Sequence, residues 1–321
     1  MPISAYPANI IIFIHYLCAM DKFYGEICQF LHDYGLHIYK VGEGYGHISV
    51  KAECSGNDRA IPLMLLGTPA TSQEEAERQH AEASAEIARL TDESGTYPLI
   101  LTEDRWSSQG EMTRSRLLAH LEIFTQIYAR NCEVRRIDKA TAQDFLQRSH
   151  SYGDAACKYR YGLYLKRHTG HNALRLSESN DNPDGQAIAA LQPGTLIAVA
   201  TFSNARKWIK GDKTIRSYEW TRYASLPGVR LSGGMGKVLK TFIKEVQPDD
   251  IMTYADLEWS EGKVYEQLGF TLEGVKEPVT FLVGSDCRRR PDRPDIPAME
   301  EDRWLRNFGS NKYRLKLTDY Q

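Results

Sequence analysis

The order of strand and helix patterns between residues 132 and 284 constrains the fold of this chain more than any other feature. Four strand patterns come first, with one helix, TAQDFLQRSH, after the first of them: CEVRRI, YRYGLYLKR, GTLIAVATFS and IRSYEWTRYAS. Amphipathic and apolar segments then alternate: KVLKTFIKEV, IMTYAD, SEGKVYEQL, FTLEGV and VTFLVG. Strands joined by hairpins and then by helical crossovers predict an α/β (α+β) fold, in which a mixed central sheet is flanked by helices.

The length of 321 residues exceeds the usual size of one domain, and the sequence divides into four regions. Residues 1–67 alternate apolar runs with glycine-rich turns and predict a small α+β region. Residues 68–129 predict a solvated helical connector, whose first helix begins near Thr71 or Ser72 and ends at Gly95. Residues 130–285 form the predicted α/β domain. Residues 286–321 form a basic, proline-rich extension that ends in one more strand pattern.

Composition limits the class of protein. The chain has 42% hydrophobic and 26% charged residues, which is typical of a soluble globular protein. Its formal net charge of -2 gives no overall attraction to nucleic acid or to anionic membranes, although a local basic patch is compatible with this total. The six cysteines include no close CxxC pair, so we expect reduced thiols in a cytoplasmic protein, without a metal. The apolar stretch at residues 10–20 is too short to cross a bilayer, and no membrane attachment is expected.

A glycine-rich turn, RLSGGMGK (230–237), lies between a predicted strand and a predicted helix. Glycines permit positive φ and a close approach of the backbone, so successive N–H groups can point into one concavity at a helix N-terminus. The helix dipole favours phosphate there. The segment lacks the spacing of a Walker loop and the full dinucleotide fingerprint. It therefore indicates either a pyrophosphate site or a simple tight turn.

Tyr265 lies in KVYEQLGF (263–270), a predicted helix that ends at Gly269 and continues directly into a strand. A glycine at this place suits the left-handed conformation that ends many helices. A tyrosine hydroxyl, with an ordinary pKa of about 10, can protonate a departing thiolate if the ring reaches a cleft. The alternative is a core tyrosine whose hydroxyl is satisfied internally.

Candidate acids and bases follow from the strand at residues 215–225 and from the strand after it. Strict alternation predicts two faces for the first strand, one with Tyr218, Trp220 and Arg222, the other with Glu219, Thr221 and Tyr223. Glu219 is either a functional carboxylate or a solvated or paired one. Asp256 is its rival, because ligands bind at the carboxyl ends of strands in open α/β sheets.

Two further residues are candidates for binding the acceptor. Arg222 could pair with Asp256 or with a phosphate. His150 follows a predicted helix in the segment RSHSYGD, where a histidine can bind a substrate or simply cap the helix.

The strand and helix order, the glycine turn and above all VYEQLGF resemble the GNAT (Gcn5-related N-acetyltransferase) superfamily over about half of the chain. The resemblance implies that backbone amides of the turn bind the CoA pyrophosphate and that the tyrosine acts as general acid toward the CoA sulfur. The implied donor-binding residues are Arg230, Gly233, Gly234, Gly236 and Lys237, and the implied acid is Tyr265. A glutamate on strand 215–225 often serves as the base in this family, which favours Glu219. The expected activity is transfer of an acyl group from acetyl-CoA, or another acyl-CoA, to an amine.

A narrower resemblance is to the GNAT-like proteins of phages and mobile elements, with the Mom DNA-adenine modification proteins as distant relatives. The Mom-like pattern ADxxxGxxYxxxxF is echoed by Ala255, Asp256, Gly262, Tyr265 and Phe270. The segment EDRW (103–106) is similar to an EDEW-type segment of nuclease-like parts, without a complete nuclease site. The resemblance implies nucleic acid as a second class of acceptor beside an amine-bearing small molecule. The alternative function is a nucleic-acid-binding or nucleobase-modifying protein that uses basic residues such as Arg288 to Arg290 for phosphate contacts.

Overall fold

The structure is a computed structural model that describes residues 8–54, 60–167, 191–295 and 297–319. Its helices in this part are α1 (Ala8–Asp33), α2 (Gln73–Ser94), α3 (Glu103–Ser108), α4 (Gly110–His120), α5 (Lys139–Ser149), α6 (Gly234–Val246) and α7 (Lys263–Gln267). Its strands are β1 (Leu36–Gly44), β2 (His47–Cys54), β3 (Ile61–Leu66), β4 (Leu99–Thr102), β5 (Thr125–Tyr128), β6 (Cys132–Arg136), β7 (Tyr159–Leu165), β8 (Leu196–Phe202), β9 (Arg206–Lys210), β10 (Lys213–Ser225), β11 (Val229–Ser232), β12 (Asp250–Asp256), β13 (Thr271–Lys276), β14 (Thr280–Val283), β15 (Arg289–Pro291), β16 (Arg303–Arg306) and β17 (Ser310–Lys316).

The chain forms two compact units, and each unit is built from two separate segments. Unit 1 comprises residues 1–110 and 277–309, and unit 2 comprises residues 111–276 and 310–321. The four predicted regions follow the linear sequence, whereas the units do not. Most of the predicted C-terminal extension belongs to unit 1, and its final strand belongs to unit 2.

The sheet of unit 1 has the order β1-β2-β3-β4. The first three strands are antiparallel, and β4 pairs with β3 in parallel, so α2 forms the crossover between them. Strand β3, IPLMLL, is buried along nearly its whole length, as a continuous apolar run predicts for a strand that is covered on both faces.

Helix α2 shows how local signals define an element. It begins after Ser72, whose side chain accepts a hydrogen bond from the Glu75 N–H, and it ends at Gly95, which has a φ of 65°. These ends confirm the predicted bounds of the helix. Ala83, Ile87 and Leu90 are buried, however, so α2 packs into the core of unit 1 and is not a solvated connector.

Segment 277–309 carries its own three-stranded sheet, in the order β15-β14-β16, and a buried ion pair joins it to the N-terminal part of unit 1. Asp104 is only 1% exposed, and its carboxylate accepts hydrogen bonds from Nε (2.6 Å) and Nη2 (3.1 Å) of Arg289. Arg290 pairs with Asp302. The predicted phosphate contacts of these arginines are therefore replaced by internal ion pairs, and the EDRW carboxylate at position 104 is structural.

The main sheet of unit 2 has the order β13-β17-β12-β10-β8-β7-β6, and β9 adds to β10 outside this path. Only β10 and β12 pair in parallel among these strands, so the sheet is mixed. Phe145 of α5 packs with Val199 of β8, whereas Phe242 of α6 packs with Ala198 and Ala200 of the same strand. Adjacent residues of a strand point to opposite faces, so the two helices cover opposite faces. The predicted fold class is confirmed.

One strand assignment changes which segment completes this sheet. The predicted strand at residues 279–284 forms β14 in unit 1 instead. Its place is taken by β17, which lies between β12 and β13 and pairs with β12 from Asp250↔Lys316 to Asp256↔Ser310.

A row of polar side chains fixes β17 in the sheet. Arg314 donates from Nη1 to Asp250 Oδ1 (2.7 Å) on β12 and from Nε to Glu273 Oε1 (2.7 Å) on β13. Asp250 also accepts from the hydroxyl of Ser217 on β10, at 2.5 Å. The hydrogen bonds from Arg314, with support from Lys312, lower the pKa of Glu273 to about 2. The row thus links four neighbouring strands.

Among the described residues, none of the helices combines the length and the apolar character that crossing a membrane requires.

Candidate functional site

Strands β10 and β12 separate along their length. They pair at Ser217↔Asp250, Tyr218↔Ile251 and Glu219↔Met252, and the two strands share no further pairs within their described length. Beyond this point β10 stays with β8, and β12 stays with β17. Neighbouring parallel strands that diverge toward their carboxyl ends leave a crevice between them, which is where open α/β sheets bind ligands.

A β-bulge in β10 directs its side chains at the start of this crevice. The pairing with β8 shifts between Trp220 and Arg222, and the hydroxyls of Thr221 and Thr201 lie 2.7 Å apart. The extra residue places Arg222 on the face of Glu219 and Thr221, while Tyr223 turns to the face of Trp220, with their rings 6.0 Å apart. The predicted alternation of the two faces along residues 215–225 was therefore wrong beyond Trp220, because one inserted residue moves every later side chain to the opposite face of the sheet.

The first turn of α6 lies after β11 and opens with Gly233, which has a φ of 77° and gives no side-chain cap. The first N–H bonded within the helix is that of Lys237, which donates to Gly233 O at 3.0 Å. The N–H groups of residues 234–236 have no hydrogen-bond partner among the described residues. They are the unsatisfied donors of a helix N-terminus, and the helix dipole adds positive potential there.

Close packing explains the second glycine of this turn. A Cβ atom on Gly234 would lie 2.5 Å from Tyr223 Oη and 2.7 Å from Leu231 Cδ2. At Gly236 a Cβ atom would meet only Leu268 Cδ2, at 3.3 Å. Packing therefore requires glycine at position 234. Position 236, which faces α7, has room for a small side chain.

The two cations of the predicted donor site are held elsewhere. The guanidinium of Arg230 lies over the ring of Phe124, at 5.1 Å. The ammonium of Lys237 donates to the carbonyl oxygens of Ala129 (2.8 Å) and Cys132 (2.5 Å). The unpaired donors at the start of α6 are therefore main-chain N–H groups, whereas the two cationic side chains contact other parts of unit 2.

Tyr265 lies half-buried in α7, beside the point where β10 and β12 part. Its ring is 6.0 Å from that of Trp220 and 5.6 Å from that of Tyr313. Thr253 hydrogen-bonds the Tyr265 phenol and donates to Trp220 O at 3.1 Å, across the two strands. Burial raises the pKa of Tyr265 above its ordinary value, with partial opposition from the Thr253 hydrogen bond. The phenol therefore keeps its proton throughout the neutral range.

The first turn of α6 and helix α7 are neighbours. Gly236 approaches Leu268, and Met235, Leu268 and Tyr265 pack against the same core cluster. The two segments that carry the predicted donor-binding turn and the predicted acid are thus adjacent.

A second group of polar side chains lies on the α5 face of the sheet. Arg222 donates from Nε to Gly153 O (2.9 Å) and lies 6.0 Å from the ring of Tyr152. Tyr152 Oη donates to Asp256 Oδ2 (2.9 Å) at the end of β12. Burial lowers the pKa of Arg222, and the nearby carboxylate of Glu219 opposes this shift. The predicted residues Glu219, Arg222 and Asp256 therefore belong to one cluster.

The two candidate bases differ in their contacts. Asp256 uses both carboxylate oxygens, since Oδ2 accepts from Tyr152 and Oδ1 accepts from the Glu258 N–H at 3.0 Å. The Glu219 backbone exchanges hydrogen bonds with Ser203, each at 2.9 Å, and its carboxylate has no hydrogen bond to a described residue. Of the two carboxylates, only that of Glu219 is without a hydrogen bond to a described residue.

His150 lies at the C-terminal cap of α5, and its Nδ1 accepts from the Tyr152 N–H at 3.1 Å. It shapes the 150–153 turn that presents Tyr152.

Sequence reasoning missed Tyr152 and Thr253, because nothing in their local sequence marks them and only the folded sheet brings them to the crevice. Within the described part of the chain, no group of His, Cys, Asp or Glu side chains could hold a metal ion.

No family model matches this chain, and no curated protein matches it. These two comparisons therefore give no support to the narrower resemblance to phage and Mom-like proteins. Among solved structures, a GNAT-family acetyltransferase from Bacillus anthracis is similar to the chain with a TM-score of 0.28 and 14% sequence identity, over 58% of this chain and 95% of that one.

Proposed function

We propose that unit 2 is an N-acyltransferase that transfers an acyl group from acyl-CoA to an amine. One observation carries the proposal: where β10 and β12 stop pairing, Trp220 of β10 contacts the half-buried Tyr265, and Tyr223 of β10 contacts the first turn of α6, whose N–H groups at residues 234–236 are unpaired among the described residues. The N–H groups suit a pyrophosphate, and the tyrosine suits a leaving thiolate.

The donor fits the residues that are present. The N–H groups of residues 234–236 belong to a helix whose first turn has no acidic residue, so no carboxylate of that turn opposes a pyrophosphate. The separated edges of β10 and β12 offer N–H and C=O groups to the amides of a pantetheine arm, as strand edges do for an extended peptide. This arrangement leads the thioester toward Tyr265.

The chemistry requires two proton transfers. The acceptor amine attacks the thioester carbonyl, so a C–N bond forms and the C–S bond breaks. Glu219 accepts the proton that the amine loses, directly or through one water. Tyr265 gives its proton to the departing thiolate, and the raised pKa of Tyr265 keeps that proton available at neutral pH. Asp256 and His150 orient Tyr152 and the surrounding turn.

A substitution at Gly236 tests the donor site. Gly236→Glu places a carboxylate beside the helix N–H groups, and we expect it to weaken acyl-CoA binding about 10-fold or more. Calorimetric titration with acetyl-CoA measures the effect. Gly236→Ala is the matched control and should bind like wild type, because its Cβ meets only a flexible Leu268 methyl group at 3.3 Å. Equal affinity in wild type and Gly236→Glu would falsify the site. Gly234 is unsuitable for this test, because any side chain there collides with Tyr223 and Leu231.

Removing the phenol tests the role of Tyr265. We expect Tyr265→Phe to lower kcat about 100-fold, since general acid catalysis typically contributes 10²- to 10⁴-fold, while acetyl-CoA affinity stays close to wild type. In wild type, the raised pKa predicts no loss of kcat from phenol ionisation below about pH 10. Rates of CoA release across pH check both statements. A Tyr265→Phe variant with unchanged kcat would assign proton donation to another group.

The acceptor remains a prediction of two classes, an amine-bearing small molecule or nucleic acid. Mass spectrometry of small molecules and DNA from expressing cells separates them, because each acylated product carries a defined mass increase.

A further inference from the structure

Strand β9 and the first half of β10 form a two-stranded ribbon, defined here as residues 206–216. The pairs run from Lys213↔Lys210 to Ser217↔Arg206, and Gly211 lies in the turn with a φ of 58°. Strand β9 pairs with no strand other than β10 among the described residues, and residues 206–209 and 211–214 are all exposed. The ribbon therefore presents a surface to solvent that the core of unit 2 does not use.

The ribbon is basic in a chain whose formal net charge is -2. It contains one acidic residue, Asp212, and five basic residues: Arg206, Lys207, Lys210, Lys213 and Arg216. Arg216 is paired with Asp249. Arg206 and Lys207 form no ion pair with any residue in the described ranges. The ribbon is therefore a local basic patch, which the small net charge of the whole chain does not reveal.

Two large apolar side chains are exposed beside these cations. Trp208 is 50% exposed and Ile209 is 83% exposed. Alternation along β9 places Arg206 and Trp208 on one face of the ribbon, and Lys207 and Ile209 on the other. Each face therefore combines one apolar side chain with one unpaired cation.

We propose that this ribbon is a docking surface for nucleic acid. Surfaces for single strands combine cations that follow the phosphates with aromatic side chains on which bases stack, and Arg206, Lys207 and Trp208 supply these groups within three consecutive residues. An anionic membrane fits less well. A membrane-binding element needs one apolar face opposite a charged face, whereas Trp208 and Ile209 point to opposite sides.

The base of the ribbon lies near Glu219 in the sheet. It follows directly after Ser203, whose hydroxyl accepts the Glu219 N–H at 2.9 Å. Binding of an oligonucleotide to the ribbon needs no acyl-CoA. The nucleic-acid proposal and the acyl-CoA proposal can therefore fail independently of each other.

The test uses the full chain and a fluorescent single-stranded oligonucleotide of about 20 nucleotides, long enough to exceed the site sizes of single-strand binders. Anisotropy should show binding that weakens as salt rises, because phosphate contacts release counterions. The double variant Arg206→Glu/Lys207→Glu should bind at least about 10-fold more weakly, and Trp208→Ala about 5- to 100-fold more weakly.

The matched control is Lys240→Glu/Lys244→Glu, which makes the same charge change on the exposed side of α6. It should bind like wild type. Equal affinity of wild type, the ribbon variants and the control would overturn the proposal. So would binding to vesicles containing phosphatidylserine without any binding to the oligonucleotide.

Discussion

A chain that ends at Gly309 is expected to lose the cooperative unfolding transition of unit 2. Strand β17 lies between β12 and β13, so its removal opens the sheet in its interior and leaves β13 without a neighbour. It also removes the buried Tyr313 and the Arg314 guanidinium, which leaves the 1%-exposed Asp250 without its cation. Their combined loss should exceed the roughly 5–15 kcal/mol that stabilises an ordinary domain. Urea denaturation followed by circular dichroism, with acetyl-CoA binding as a second readout, measures the effect.

A larger deletion that spares β17 is the control. Lys276 and Ser310 are paired across β13 and β17, so a two-residue Asn-Gly turn can replace residues 277–309 and close a continuous hairpin. A chain of residues 111–276, this turn and residues 310–321 should unfold cooperatively and bind acetyl-CoA like the full protein. If this shorter chain were unfolded while the chain ending at Gly309 kept its transition, the assigned place of β17 would be wrong.

The second large effect is expected at the buried ion pair of unit 1. Arg289→Ala leaves the Asp104 carboxylate buried without the Arg289 guanidinium. Asp104→Ala leaves that guanidinium without the carboxylate it binds. Each substitution should destabilise unit 1 by about 3–5 kcal/mol, and the double variant by less than the sum. Denaturant titration of the three variants and wild type supplies the double-mutant cycle. Fully additive effects would contradict a direct interaction.

The same pair predicts a dependence on pH. Burial alone would raise the pKa of Asp104, but the charge and hydrogen bonds of Arg289 lower it below its ordinary value. A depressed pKa in the folded state stabilises the fold above the unfolded pKa of about 3.9, and this contribution is lost as pH falls below it. In Arg289→Ala, burial meets less opposition and raises the pKa of Asp104 relative to wild type, so the loss of stability on acidification should be smaller than in wild type. Unfolding curves recorded between neutral and acidic pH test the direction.

Features that depend on neighbouring residues were predictable from the sequence. Ser72 and Gly95 mark the ends of α2, because capping is local chemistry. The turn at Gly233 and the helix after it were likewise predicted, since few residues other than glycine adopt a positive φ without strain. The predicted mixed sheet follows from the order of such local elements.

Features that depend on distant pairing were not predictable in this way. Strand patterns occur both at residues 279–284 and in the segment 310–316, and only the pairing with β12 decides which of them enters the main sheet. The bulge at Thr221 depends on the partner strand β8. The approach of Tyr152 to Asp256 spans about a third of the chain and needs the completed sheet.

The path of the chain between the units has a consequence for the timing of folding during synthesis. Domains usually fold one after another as the ribosome releases them, beginning with the N-terminal one. Here unit 1 is complete only after β14 to β16 have been synthesised, and unit 2 is complete only after β17 has been synthesised. Both units therefore reach their final structure only when nearly all of the polypeptide has been released. A nascent chain that stalls before residue 277 would lack the second sheet of unit 1 and strand β17 of unit 2, and would expose the surfaces they cover to the cell's chaperones.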